Sequence, residues 1–287
     1  MKLPVQTRRY AAPSGLSLAA DVAGDPSAPA VVVLHGGGQT RHSWGGAMRE
    51  LLRCGYHVIN FDARGHGDSD WAPDADYSLA AMADDLRAVV ATLPAPPALV
   101  GASMGGVTSL YAAGTSERPI ASALVLVDIV PRVNQDGGAK IAEFMCSGVD
   151  GFASLEEAAD AVSAYNPHRP RPKDLSGLMK NLRRRENGRL YWHWDPQFVA
   201  NPRRMEPPQF TELLYGAASR VRVPTLLVRG TKSDIVTDEG IDEFRRFLPG
   251  LEVFEVAGAG HMVAGDRNDA FNQGVIGFLE RHHPPRP

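Results

Sequence analysis

The chain has 287 residues, of which 44% are apolar and 22% charged, with a formal net charge of -3. That length holds one large α/β domain with or without an insertion, or two small domains, and the composition supports a substantial core while excluding wholesale disorder. So balanced a charge lacks the concentrated basic excess of nucleic-acid binders, and two distant cysteines, Cys54 and Cys146, provide neither a disulfide framework nor a cysteine zinc site.

At the N-terminus, Arg8-Arg9 followed by small residues has the outline of a twin-arginine export signal. Pro13, Ser14, Gly15 and Ser17 interrupt the apolar region, however, and Asp21 follows, so the segment reads as strand, turn and strand. No window approaches the roughly 18 uninterrupted apolar residues of a membrane-spanning helix, so the expectation is a soluble, cytoplasmic protein with no membrane span.

Short β-rich runs then alternate with longer amphipathic segments, the pattern of a mostly parallel sheet covered by helices on both faces. The strand runs are Thr7 to Ala11, Leu16 to Val22, Ala30 to Leu34, His57 to Phe61, Ala98 to Gly101, Ala123 to Val127, Pro224 to Val228 and Glu252 to Val256. The turn Pro13-Ser14-Gly15 allows only an antiparallel first pair, whereas later runs are separated by helix-length crossovers. Helical spacing covers Trp44 to Cys54, Ser78 to Leu93, Met104 to Ala113, Asp238 to Phe247 and Asp269 to Glu280. The tail His282-His283-Pro284-Pro285-Arg286-Pro287 cannot continue a helix, and a frayed end is expected there.

The alternation breaks between Pro131 and Val223. The expected organisation is therefore a core of residues 1–130 and 224–287 carrying a helical cap inserted at 131–223. Ser154-Leu155-Glu156-Glu157 fits a capping box for a helix running toward Ala164. Nine of the 21 aromatic residues fall in this interval, and Phe144, Trp192 and Trp194 are candidates for a substrate pocket, although most such rings are expected in the cap's own core. The basic residues Arg169, Arg171, Lys173, Lys180, Arg183, Arg184, Arg185 and Arg189 read as a solvated face rather than a guide for anionic substrates.

Gly101-Ala102-Ser103-Met104-Gly105 matches G-x-S-x-G, and it lies between a strand and a helix. A sharp turn there forces backbones together, and glycine lacks the Cβ that would collide. Ser103 is thereby the candidate nucleophile. A serine hydroxyl needs a base oriented by a carboxylate, and His261, in the loop after the eighth strand, is the candidate base. Asp234, after the seventh strand, is the first choice of acid, with Asp128, at the end of the sixth, as the alternative. No histidine spacing marks a metal site, and His57, His168, His282 and His283 lack a comparable placement. Oxyanion donors are expected from the Met104 N–H at a helix start and from the His35-Gly36-Gly37-Gly38 loop, with Gly37 preferred and Gly38 as fallback. His35 is expected to pin that loop by hydrogen bonding.

With these residues and the loop Asp62-Ala63-Arg64-Gly65-His66-Gly67-Asp68-Ser69, the chain resembles the α/β-hydrolase superfamily, in the branch with a helical cap after the sixth strand. The resemblance implies a serine hydrolase that uses no cofactor, and the elbow serine sets the chain apart from relatives with aspartate there, the haloalkane dehalogenases and epoxide hydrolases. The cap matches no particular subfamily. The expected activity is hydrolysis of a small-molecule carboxylic ester or lactone with an apolar portion. The same residues also serve a C-C hydrolase of vinylogous diketones, a perhydrolase, or a ligand receptor that has kept its triad.

Overall fold

The computed structural model describes residues 4–165, 171–200, 205–261, 263 and 268–285. His168 and Arg169 lie outside the described residues.

Among the described residues, eight strands form one sheet in the order β1 (Gln6–Ala11), β2 (Ser17–Ala23), β4 (His57–Phe61), β3 (Ala30–Leu34), β5 (Ala98–Ala102), β6 (Ala123–Val127), β9 (Thr225–Gly230) and β10 (Leu251–Val256). β2 pairs antiparallel with β1 and β4, and all later neighbours are parallel. The antiparallel β1–β2 pair follows from its tight turn and the parallel remainder from helical crossovers that begin only after β3. The connection from β2 to β3 is a six-residue loop without a helix, contrary to the expected crossover, and β2 lies antiparallel to β4.

The central strands are buried on both faces, and each face has its own composition. Val32, Leu34, Leu99, Leu124, Leu126 and Leu227 point one way, into a cluster shared with Leu86 and Val89 of α2 (Leu79–Val90), Leu110 of α3 (Met104–Thr115) and Phe244 of α8 (Asp238–Phe247). Val31, Val33, Val100, Val125 and Val228 point the other way, against Met48 and Leu51 of α1 (Gly45–Arg53) and Phe271, Val275 and Phe278 of α9 (Asn268–His282). Alternation at a period of two thus gives a leucine face and a valine face, each sealed by amphipathic helices.

The interval between β6 and β9 holds α4 (Gln135–Cys146), α5 (Leu155–Tyr165), β7 (Leu182–Arg184), β8 (Leu190–Trp192), α6 (Pro196–Val199) and α7 (Pro207–Ala218). Met145, Phe152, Leu182, Leu190, Trp192 and Trp194 form a separate buried cluster there. The Glu157 N–H donates to Ser154 Oγ at 3.1 Å, and the Glu157 carboxylate accepts from the Ala153 N–H. This is the expected cap at the start of α5, reaching back one residue further than a strict capping box.

Two expectations need correction. The interval contains strands, since β7 and β8 pair as an antiparallel hairpin. The hairpin was hidden because each arm has three residues, too short for periodicity to register. At the end of the interval, Tyr215 and Ala218 of α7 join the leucine-face core. The tail is docked as far as His283, whose Nε2 meets the Ala30 carbonyl at 3.0 Å and whose Nδ1 meets Ser122 Oγ at 2.8 Å. No helix among the described residues is long and apolar enough to cross a membrane.

Candidate active site

Ser103 sits between β5 and α3 with φ 45° and ψ -114°, a conformation that side chains avoid unless the surroundings impose it. Those surroundings are glycine contacts. A Cβ on Gly101 would run into the Gly105 backbone, and one on Gly105 would lie 2.6 Å from Leu34 Cβ. The Ser103 N–H is anchored on the Val127 carbonyl at 3.0 Å. The elbow therefore needs small residues two positions before and after Ser103, and it leaves the hydroxyl on the wall of a cavity at the C-terminal edge of the sheet.

His261 lies in the loop after β10, on the far side of β9 from β6. Gly230 lets it cross. A Cβ there would collide with the Ala259 and Gly260 carbonyls, so the loop lies directly over the end of β9. His261 Nδ1 consequently donates to Asp128 Oδ2 at 2.8 Å. Asp128 is fully buried at φ 52°, and it also accepts from Ser233 Oγ at 2.6 Å and from the Gly230 N–H at 3.2 Å. With the Nδ1 proton committed to the carboxylate, Nε2 is the His261 ring nitrogen left to accept a hydrogen bond, and no hydrogen bond among the described residues takes it. Ser103 and His261 line the same cavity, and no hydrogen bond joins them in the structure.

The acid preferred from sequence, Asp234, is not the residue against His261. The turn after β9, closed by the Ser233 N–H on the Gly230 carbonyl, directs Ser233 inward. Asp234 is left half-exposed, paired with Lys140 of α4 at 3.3 Å. The alternative, Asp128, takes the place. The signal that separates them is strand order: β6 is adjacent to β5, the strand that carries Ser103, whereas β9 lies one strand further away.

The loop His35-Gly36-Gly37-Gly38 is ordered by three buried histidines. His35 Nε2 accepts from the Ala63 N–H at 3.0 Å, so its proton is on Nδ1, which donates to the Gly36 carbonyl at 2.8 Å. This is the expected pinning role. His66 Nε2 accepts from the Gly38 N–H at 3.2 Å, leaving Nδ1–H to donate to the Arg64 carbonyl. His193 Nδ1 accepts from the Gly67 N–H at 2.8 Å, leaving Nε2–H to donate to the Gly38 carbonyl at 3.3 Å. Burial pushes all three imidazoles below the ordinary histidine value, His193 to about 3.

The Gly36 N–H donates to Gln39 Oε1, and the Gly38 N–H is taken by His66, so the fallback donor Gly38 is committed to the loop itself. No hydrogen bond among the described residues takes the Gly37 N–H. In its trans peptide it points opposite to the Gly36 carbonyl, which His35 and the Gln39 N–H both hold. Met104 opens α3, where its N–H has no carbonyl one turn back.

The cavity measures about 1380 Å³. Its walls include Met82, Val107, Ile141, Phe144, Trp192, Phe198 and Phe210, so two of the three aromatic pocket candidates line it. Trp194 does not. It stacks on Trp192 with ring centroids 5.0 Å apart and packs over Gly38, where a Cβ would come 3.2 Å from its ring. The basic stretch is mostly occupied locally, with Arg171 on Asp160, Arg183 on Asp68 and Arg185 over the Tyr191 ring. Among the described residues, no three His, Cys, Asp or Glu side chains group as a metal ion would require.

Sequence reasoning passed over His193, Asp195 and Tyr77. Tyr77 Oη donates to Asp195 Oδ2 at 2.5 Å, and the Asp195 N–H donates to the Gly65 carbonyl at 2.9 Å. The run Trp192-His193-Trp194-Asp195 carried one available signal: a histidine and an aspartate embedded among aromatic residues must find partners when buried.

The model of the alpha/beta hydrolase fold family matches residues 29–267. The esterase Rv0045c of Mycobacterium tuberculosis is 31% identical over 263 residues, 88% of this chain and 84% of that protein. Its structure superposes with a TM-score of 0.77, covering 98% of this chain and 93% of that one at 28% identity. The sn-1-specific diacylglycerol lipase ABHD11 of Mus musculus is 32% identical over 89% of this chain and 82% of its own length. An E-2-(acetamidomethylene)succinate hydrolase shares the fold at a TM-score of 0.84 and 22% identity, covering 96% of this chain and all of that one. By its sheet order, its elbow at Ser103 and these matches, the chain belongs to the α/β hydrolase fold family.

Proposed function

We propose that the protein hydrolyses a carboxylic ester or lactone with a sizeable apolar portion through an acyl-enzyme on Ser103. One observation carries the reading: a strained serine and a histidine held by a buried aspartate line a single large, mainly apolar cavity. The esterase and lipase relatives support the same bond type.

In this reading Ser103 Oγ rotates toward His261 Nε2 and gives up its proton as it attacks the ester carbonyl. Asp128 holds the ring in the tautomer that can accept it and stabilises the imidazolium that forms. Negative charge on the former carbonyl oxygen is met by the Gly37 and Met104 N–H groups, aided by the dipole of α3. His261 returns the proton to the leaving alkoxide, the acyl group stays on Ser103, and a water deprotonated by His261 releases the acid. Every step is served by the chain's own groups. The segment from Pro131 to about Glu206 acts as a cap whose Phe144 and Trp192 meet the apolar part of the substrate.

The test is a series of p-nitrophenyl esters of increasing acyl length, together with lactones, assayed with wild type and Ser103→Ala. The expected result is kcat/KM rising from acetate to medium-chain esters and falling by about 10⁴-fold or more in the variant. Turnover insensitive to Ser103 would sink the reading.

A further inference from the structure

Resting on the serine-hydrolase reading, we infer that His193, from the inserted segment, is a positioning residue for the oxyanion loop, so that the insertion helps to build the catalytic centre as well as cover it.

The inference follows peptide by peptide. The Gly37 N–H shares a peptide with the Gly36 carbonyl, and its direction is set by what holds that carbonyl. Two donors do so, His35 Nδ1–H at 2.8 Å and the Gln39 N–H at 3.1 Å. The Gln39 N–H in turn shares a peptide with the Gly38 carbonyl, and His193 Nε2–H is the side-chain donor on that oxygen. Pulling the Gly38 carbonyl toward His193 therefore turns the Gln39 N–H the opposite way, onto the Gly36 carbonyl. That contact keeps the Gly37 N–H aimed away from the loop. The relay runs through the Gly36–Gly37 and Gly38–Gln39 peptides, and Gly38 has φ +71°, so within the space that Met145 and Trp194 leave around Gly38 the tilt of these planes is set by hydrogen bonding.

His193 is built for this task. It is 1% exposed, its Nδ1 is fixed by the Gly67 N–H, and its ring lies edge-on to Trp194 with centroids 5.4 Å apart. Neighbouring residues of the hairpin and of the following turn are fastened to the body as well, Arg183 of β7 to Asp68 at 3.1 Å and Asp195 to Tyr77 at 2.5 Å. This stretch of the insertion is thus stapled to the loop after β4.

The experiment compares His193→Ala and His193→Gln with wild type and Ser103→Ala, on protein shown to be folded by circular dichroism. The readouts are kcat, KM and the affinity for a trifluoromethyl ketone whose hemiketal oxygen occupies the oxyanion position. His193→Ala is expected to lose about 10–100-fold in kcat, with KM within about twofold and ketone affinity falling in parallel, a fraction of the loss on removing an oxyanion donor outright. His193→Gln keeps an amide N–H near the Nε2 position and is expected to recover most of the loss. Wild-type kcat in folded His193→Ala, a change confined to KM, or equal impairment of both variants would overturn the positioning role. If Ser103→Ala keeps its turnover, the serine reading fails and this inference with it. An inactive Ser103→Ala beside an unimpaired His193→Ala removes the positioning role alone.

Discussion

The carboxylate of Asp128 reaches His261 across the end of an intervening strand, at 2.8 Å, because Gly230 has no side chain to keep the two loops apart. Asp128→Asn is therefore expected to lower kcat by about 10³–10⁴-fold, since the amide cannot hold the imidazole in the working tautomer. Asp234→Asn removes only a half-exposed pair with Lys140 and is expected to stay within about threefold of wild type. Steady-state kinetics of the two variants on one ester decides between them, and the opposite ranking would reinstate Asp234.

That contrast marks the limit of what the chain discloses before folding. Ser103 and His261 stand in local contexts, a strand-to-helix glycine turn and a glycine loop after a strand, that one-dimensional patterns carry well. The eight strand runs were legible for the same reason, each a short apolar run between turn residues. Choosing between Asp128 and Asp234 needs the spatial order of strands and the inward turn of Ser233, neither of which is a local property. The inserted segment was less legible because its elements are short and its partners, such as Gly67 for His193, lie 126 residues away in sequence.

Gly37 and Gly38 are expected to respond differently to the same substitution. Gly38→Ala places a Cβ 2.6 Å from Met145 Sδ at φ +71°, and a loss of about 2 kcal/mol or more in stability is expected together with lower turnover. Gly37→Ala meets only Phe198 at 3.9 Å and keeps its N–H, so its stability should lie within about 1 kcal/mol of wild type. Urea denaturation of both variants is the check, and equal stability of the two would contradict the tight packing around Gly38.

Acidification should weaken the fold through His35, His66 and His193. Burial holds each below the ordinary histidine value of 6.5, so below that pH the unfolded chain binds protons that the folded chain refuses. Their stabilising contribution is complete above about pH 6.5 and is lost as the pH falls toward the folded values, about 3 for His193, at up to about 1.4 kcal/mol per pH unit for each histidine. Unfolding free energies at about pH 7.5 and about pH 5 should show a clear fall, and His193→Gln should flatten it. A pH-independent stability over this range would mean that these rings are protonated in place.

Tyr77→Phe removes the hydroxyl that donates to Asp195 Oδ2 and accepts from the Ala72 N–H. Both partners are buried, and the expected cost is about 2–4 kcal/mol, read from the urea midpoint. A neutral effect would show that the staple between the inserted segment and the body does not depend on this pair.

The most direct measurement is intact-protein mass spectrometry after rapid mixing with a slowly deacylating p-nitrophenyl ester, followed by peptide mapping. A mass increase of one acyl group, found on Ser103 and appearing at the rate of the p-nitrophenol burst, is the predicted result. Turnover with no acyl adduct, or with the adduct on another residue, would contradict an acyl-enzyme at the elbow.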